Sequence, residues 1–224
     1  MFNNNTPSYI LRYFNRVGLG ESVKMMLTVA NVEWIEENPK WPEEKSKQPF
    51  GHLPVLIEKN TDGKADFVIC ESGCIERYLA RRYGLLPANF QQAALQEQAR
   101  DQMSDVLKAF ISHLFAEGEE DILASWRSFN EILDIVIFVQ TKLLRANGNT
   151  GRFFGKNLSY ADIVIYAVYK IITIGWIKNK PDIVDILKPK LTPELLKLIS
   201  TVEFNPQLAR YTTNSISLVA VLTM

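Results

Sequence analysis

Apolar and polar positions follow two different rhythms along this chain, and the change falls near residues 84–90. Before it, short aromatic and β-branched runs alternate with one or two helical stretches. Tyr9-Ile10-Leu11-Arg12-Tyr13-Phe14 has the partial alternation of a strand, and Asn15 to Gly20 is a glycine-containing turn. Glu21 to Asn31 places Val23, Met26, Leu27 and Ala30 on one helical face. Trp34-Ile35-Glu36 predicts a short second strand, while Pro39, Pro42 and Pro49 keep residues 37–50 as loop or single turns. Val55 to Lys59 and Ala65 to Ile69 flank Asn60-Thr61-Asp62-Gly63-Lys64, whose Asp-Gly chemistry predicts a hairpin. Ser72 to Tyr83 then reads as a helix, with Gly84 as its C-cap.

Beyond Pro87 the period is that of α-helix. Leu95, Ala99, Met103, Val106, Phe110 and Leu114 recur at helical spacing, and so do Ile122, Trp126, Phe129, Leu133, Val136, Gln140 and Leu143, until Asn147-Gly148-Asn149 breaks the pattern. Ser159-Tyr160-Ala161-Asp162 is a capping-box-like start, with Asp in place of Glu or Gln, for a helix through Ile163, Tyr166, Ala167 and Ile171. Residues 181–188 and 192–202 fit shorter helices. The expectation is a βαβ-ββα unit over residues 1–84 followed by an all-helical domain over residues 90–224.

Composition narrows the class without naming it. Hydrophobic residues make up 47% of 224, which excludes wholesale disorder. The 25 basic residues balance 25 acidic ones, so no overall field recruits nucleic acid or an anionic membrane. The apolar tract Ile163–Ile177 is short and carries Lys170 near its middle, against a membrane span. Two cysteines, Cys70 and Cys74, argue for a reducing compartment and against a disulfide scaffold; lacking the CxxC pattern, they are expected to pack. Met1 to Thr6 lacks the basic and apolar regions of a signal peptide, so a cytoplasmic location is expected.

Several positions carry chemistry. Tyr13 closes the first strand. A tyrosine there is most often half-buried core, yet a neutral phenol beside a thiol can stabilise the thiolate. Lowering a thiol pKa by two units takes ~2.7 kcal/mol, of which such a donor supplies part. Trp41-Pro42-Glu43-Glu44-Lys45 reads as an amphipathic turn with an exposed lysine, and also brings an indole N–H and an ammonium within reach of one carboxylate. In Pro49-Phe50-Gly51-His52-Leu53-Pro54 the base rate favours a trans Leu53–Pro54 bond; a cis bond would offer the Leu53 backbone to an extended peptide. Glu71-Ser72 begins a helix, so Ser72 is a candidate cap and its N-terminus a candidate anion site.

In their order, these segments resemble the sigma-like, tyrosine-type glutathione transferases, a group that includes glutathione-dependent prostaglandin D synthases. Phe153-Phe154-Gly155-Lys156-Asn157-Leu158-Ser159-Tyr160-Ala161-Asp162 is similar to that family's segment before its buried helix. The resemblance implies an N-terminal thioredoxin-like domain and a C-terminal helical bundle domain. It also implies a homodimer, glutathione as co-substrate without a metal, and a small apolar electrophile as second substrate. Tyr13 would hydrogen-bond the glutathione sulfur, beside Phe14. Trp41 and Lys45 would hold the glycine carboxylate. Leu53, with Pro54 cis and His52 adjoining, would pair with the cysteinyl backbone. Ser72 would bind the γ-glutamyl carboxylate, and Glu71 would face the ammonium.

The chain departs from the pattern in three places. The family's arginine two residues before Glu21 is Leu19 here, with Arg16 as a candidate substitute. Glutamine at position 71 is Glu71. The aspartate that reaches across the dimer falls at Ala109, with Asp105 one turn away, so Glu71 is expected to supply the missing carboxylate. The second substrate is expected near Ser112, a partly exposed His113 and Phe115. Ala116 stands where the prostaglandin synthases carry tryptophan, which disfavours that activity. A non-catalytic relative, a crystallin-like protein or an apolar-ligand carrier, is the alternative reading.

Overall fold

The computed structural model describes residues 7–60, 64–175 and 183–223. The Asp62-Gly63 turn, the amino-terminal Met1–Thr6 and the end of the apolar tract lie outside them.

Among the described residues four strands form one sheet: β1 (Tyr9–Arg12), β2 (Trp34–Glu37), β3 (Val55–Glu58) and β4 (Phe67–Cys70), in the order β2-β1-β3-β4. The crossover helix α1 (Glu21–Val29) makes β1 and β2 parallel, whereas β3 and β4 run antiparallel to their neighbours. α1 buries Val23, Met26 and Leu27 as its period requires, and Met25 as well. α2 (Ser72–Arg82) ends where Gly84 takes φ +68, a conformation that favours glycine, and lets the Leu85 N–H return to the Ala80 carbonyl at 2.8 Å.

The helical part is built on two long helices, α3 (Phe90–Leu114) and α4 (Glu119–Ala146), against which α5 (Tyr160–Ile174) packs. Apolar on nearly every side, α5 is buried from Tyr160 to Thr173. Shorter helices complete the domain: α6 (Ile183–Leu187), α7 (Pro193–Glu203), α8 (Ala209–Thr212) and α9 (Leu218–Thr223). Within this core the Tyr169 hydroxyl donates to Gln140 Oε1 at 2.8 Å. Leu95 departs from the expected face: it is 47% exposed near the open start of α3.

The start of α5 is fixed by the capping box its sequence announced. Ser159 Oγ accepts from the Asp162 N–H, and Asp162 accepts from the Ser159 N–H at 2.9 Å. The same carboxylate accepts from the Phe153 N–H at 2.9 Å and from the Ser159 hydroxyl at 2.9 Å. It therefore ties the preceding loop to the helix. Among the described residues no helix is long and apolar enough to cross a membrane.

Candidate active site

Strand register gathers the sequence-derived residues at one end of the sheet. Arg12 pairs with Val55, and Val55 with Cys70, so the three form a row across neighbouring strands. The next residue off each strand in that direction is Tyr13, Pro54 and Glu71. β2 ends in the same row, Glu37 being the partner of Arg12, and leads into the segment bearing Trp41 and Lys45. With strands ~4.8 Å apart, one edge thus presents a phenol, a backbone stretch and a helix start within the span of a small peptide.

Tyr13 is 6% exposed. Its oxygen accepts the Leu19 N–H at 2.7 Å, which leaves the phenolic proton for another acceptor. Burial raises its pKa above the ordinary value; the Leu19 N–H opposes this and nearby Glu21 adds to it. The phenol is thus a neutral donor at physiological pH. The turn between Tyr13 and α1 must be small: a Cβ at Gly18 would lie 2.4 Å from the Tyr13 oxygen, and one at Gly20 would lie 2.8 Å from its ring. Phe14 packs edge-on against Tyr13 at 5.5 Å and against Trp41 at 5.4 Å between centroids. Lys45, exposed in a single 3-10 turn, passes beside Gly51.

Both Trp41–Pro42 and Leu53–Pro54 are cis, against the base rate for either bond. Leu53 is half-buried, Pro54 buried and His52 exposed. At the next corner the cap expected from Ser72 is not made. Ser72 is already the first helical residue, and Glu71 occupies the cap position at φ 66, ψ 113 with no side-chain cap bond. Glu71 is exposed, while the half-buried Ser72 hydroxyl meets Arg100 Nη2 of α3 at 3.4 Å.

The Arg16 guanidinium stacks 4.7 Å over the Phe14 ring, and its charge opposes the rise that burial causes in the Tyr13 pKa. Other expectations are corrected. Ala109 lies in the core at 9% exposure, whereas Asp105 is exposed beside Lys108. His113 is buried at 2% exposure, packed 4.9 Å from Trp126 with Nδ1 3.1 Å from Ser125 Oγ, so it faces the α3–α4 interior. Ser112 and Phe115 are exposed on the same helix end. Cys74 is exposed and Cys70 half-buried, so neither is a core packing residue.

Among the described residues, buried polar clusters near the site escaped the sequence reading. In one, Glu76 accepts from Ser22 Oγ at 2.5 Å and from Arg100 Nε at 2.9 Å, joining α1, α2 and α3. In another, Lys170, 1% exposed, donates to Tyr211 Oη at 2.9 Å and to Ser215, and Tyr211 donates to Glu21 at 2.5 Å. Burial lowers the Lys170 pKa, with Glu21 and Glu203 opposing. This second cluster backs a cavity of about 570 Å³ whose wall, Asn15 to Val17, continues directly from Phe14. No pattern in the local sequence joins residues so far apart. Only the apolar tract interrupted by Lys170 hinted that a charge had to be matched.

A thioredoxin-like sheet carrying a buried tyrosine, a cis-proline corner and a helix start is followed by a helical domain. Family models agree on both halves: "Glutathione S-transferase, N-terminal domain" matches residues 10–81 and "Glutathione S-transferase, C-terminal domain" matches residues 104–215. Glutathione S-transferase 1 of Ascaris suum is 30% identical over 175 residues, 71% of this chain and 77% of that protein. The hematopoietic prostaglandin D synthase of Gallus gallus is 29% identical, covering 92% of this chain and 95% of its own. The structure of prostaglandin synthase D of Nilaparvata lugens superposes with a TM-score of 0.74 at 27% identity, covering 93% and 98% of the two chains. The chain belongs to the glutathione S-transferase family.

Proposed function

We propose that the protein is a cytoplasmic glutathione transferase that attacks small apolar electrophiles with the thiolate of bound glutathione. One observation carries the chemistry: the Tyr13 oxygen already accepts the Leu19 N–H, so its single proton is available to a sulfur. A neutral phenol donates most strongly to an anion, which favours thiolate over thiol. Residues 1–84 hold glutathione. Trp41 and Lys45 take the glycine carboxylate, Leu53 and Pro54 with His52 line the cysteinyl segment, and Ser72 at the α2 N-terminus takes the γ-glutamyl carboxylate. Residues 90–224 supply the electrophile pocket and the dimer contacts, and the exposed Phe50, Phe67, Val68 and Phe90 support a second copy as partner.

The reading is tested by calorimetric titration with glutathione and a chromogenic aryl-halide conjugation assay. Micromolar to millimolar binding with turnover is expected; folded protein that neither binds nor turns over leaves only the crystallin-like or carrier alternative. Glu71 supplies the anionic partner of the γ-glutamyl ammonium, supported by its exposure at the corner and its freedom from any cap bond. Glu71→Gln is therefore expected to weaken glutathione binding about tenfold, the loss of one charge-assisted hydrogen bond of ~1.5 kcal/mol. Unchanged affinity in the same titration would reduce Glu71 to a helix-start residue.

A further inference from the structure

Glycine in the first turn of a helix weakens it by ~1 kcal/mol relative to alanine, and α2 carries one at Gly73, directly after Ser72. No unusual backbone angle requires it there. Space does: a Cβ at Gly73 would lie 2.7 Å from both Cζ and Nη2 of Arg100. The guanidinium lies against the first turn of α2, with Nη2 3.4 Å from the Ser72 hydroxyl and Nε on Glu76 at 2.9 Å. Glu76 is held from the other side by Ser22 Oγ at 2.5 Å, one turn beyond the Leu19 N–H that serves Tyr13. Arg100 is 15% and Glu76 6% exposed at their side chains, so the pair is largely shielded from water. A cavity of only about 20 Å³ remains among Leu19, Ser22, Ser72, Glu76, Arg100 and Ser104.

We infer that Arg100 is the positioning residue for Ser72, and through it sets the affinity of the site for the γ-glutamyl carboxylate of glutathione. The inference rests on the glutathione-transferase reading above. A hydroxyl has one proton to give. When Arg100 donates to Ser72 Oγ, that proton is directed away from the protein, toward whatever lies over the N-terminus of α2. The nearby positive charge also makes the serine O–H a stronger donor to a carboxylate. Glu76 fixes the guanidinium plane, and Ser22 fixes Glu76, so the hydroxyl that meets one end of the ligand and the turn that shapes the sulfur site share a single buried framework. Leu19 cannot supply the cation that lines this small cavity; Arg100 supplies it from α3.

Removing Arg100 alone would leave Glu76 charged and buried, so the test uses the paired change Arg100→Met with Glu76→Met, which removes both charges at similar volume. Two milder variants accompany it: Arg100→Lys, and Gly73→Ala, which displaces the guanidinium without deleting it. Calorimetric titration of glutathione into each, with and without Ser72→Ala, measures the coupling. The paired variant and Gly73→Ala are each expected to weaken binding about tenfold. Arg100→Lys is expected to recover part of that loss, and in the Ser72→Ala background the effect is expected to vanish. Affinity for cysteinylglycine, which lacks the γ-glutamyl group, is expected to change less than twofold. A paired or Gly73→Ala variant that binds glutathione like the parent, or a loss that adds in full to that of Ser72→Ala, overturns the inference. The parent failing to bind glutathione overturns the functional reading instead.

Discussion

Tyr13→Phe is expected to lower the rate of glutathione conjugation between about ten- and a hundredfold, with glutathione affinity nearly unchanged. The hydroxyl sits at the strand end with its oxygen engaged by the Leu19 N–H at 2.7 Å, so the variant loses the bond donated to the sulfur together with the one accepted from Leu19, but little packing. A bond to a charged acceptor is worth ~1.5–3 kcal/mol, which spans that range of rate. The same loss should move the pH–rate profile. Burial holds the phenol above its ordinary pKa, so Tyr13 stays protonated and the rising limb with pH reports the bound thiol. Without the donor the thiolate is less favoured, and the midpoint should shift upward by about one unit or more, since each unit is ~1.4 kcal/mol. Stopped-flow measurement of thiolate absorbance against pH checks this. An unshifted midpoint with normal turnover would transfer the activating role to another donor near the sulfur, Asn15 or Arg16 being the nearest in the chain.

The largest loss of stability is expected at Asp162. Its buried carboxylate accepts the Phe153 N–H, the Ser159 N–H and the Ser159 hydroxyl, each at 2.9 Å. Asp162→Ala leaves all three donors without their acceptor in a region closed to water, and removes half of the capping box. Buried unsatisfied groups cost ~1–3 kcal/mol each and do not add fully, so a loss of about 3–4 kcal/mol is expected. In a chain of this size that corresponds to a fall in Tm of roughly 10 °C. Asp162→Asn should fall between the two, because its amide retains an acceptor but also points a donor at donors. Thermal and urea unfolding of the three proteins test the order. A loss below about 1 kcal/mol in the alanine variant would show that the loop before α5 finds its partners elsewhere.

The parts of this fold that announce themselves in the sequence are those specified by neighbours in the chain. Short aromatic and β-branched runs with their turn chemistry located all four described strands, although β1 ends at Arg12 rather than Phe14. The capping box at Ser159 was legible for the same reason. What could not be read was decided by distant residues. Ser72 looked like an ordinary helix cap, but Glu71 takes that position, and the hydroxyl is met instead by a guanidinium 28 residues away. His113 has the sequence surroundings of an exposed helical histidine, yet Trp126 and Ser125 of the facing helix bury it. The helices α8 and α9 are too short to show a period at all, and tertiary contacts alone hold them.

The close fit of Tyr13 beneath the turn at Gly18 and Gly20 limits the order in which this sequence could change. A methyl group at either glycine collides with a rigid aromatic ring, so while Tyr13 is present both positions are effectively closed to side chains. Once the tyrosine is lost to a small residue, the collision disappears and both glycines become free to drift. The first substitution of that kind would therefore be hard to reverse. A later return of tyrosine would meet side chains in the volume its ring and hydroxyl need, and the site would have become an evolutionary ratchet set by two glycines.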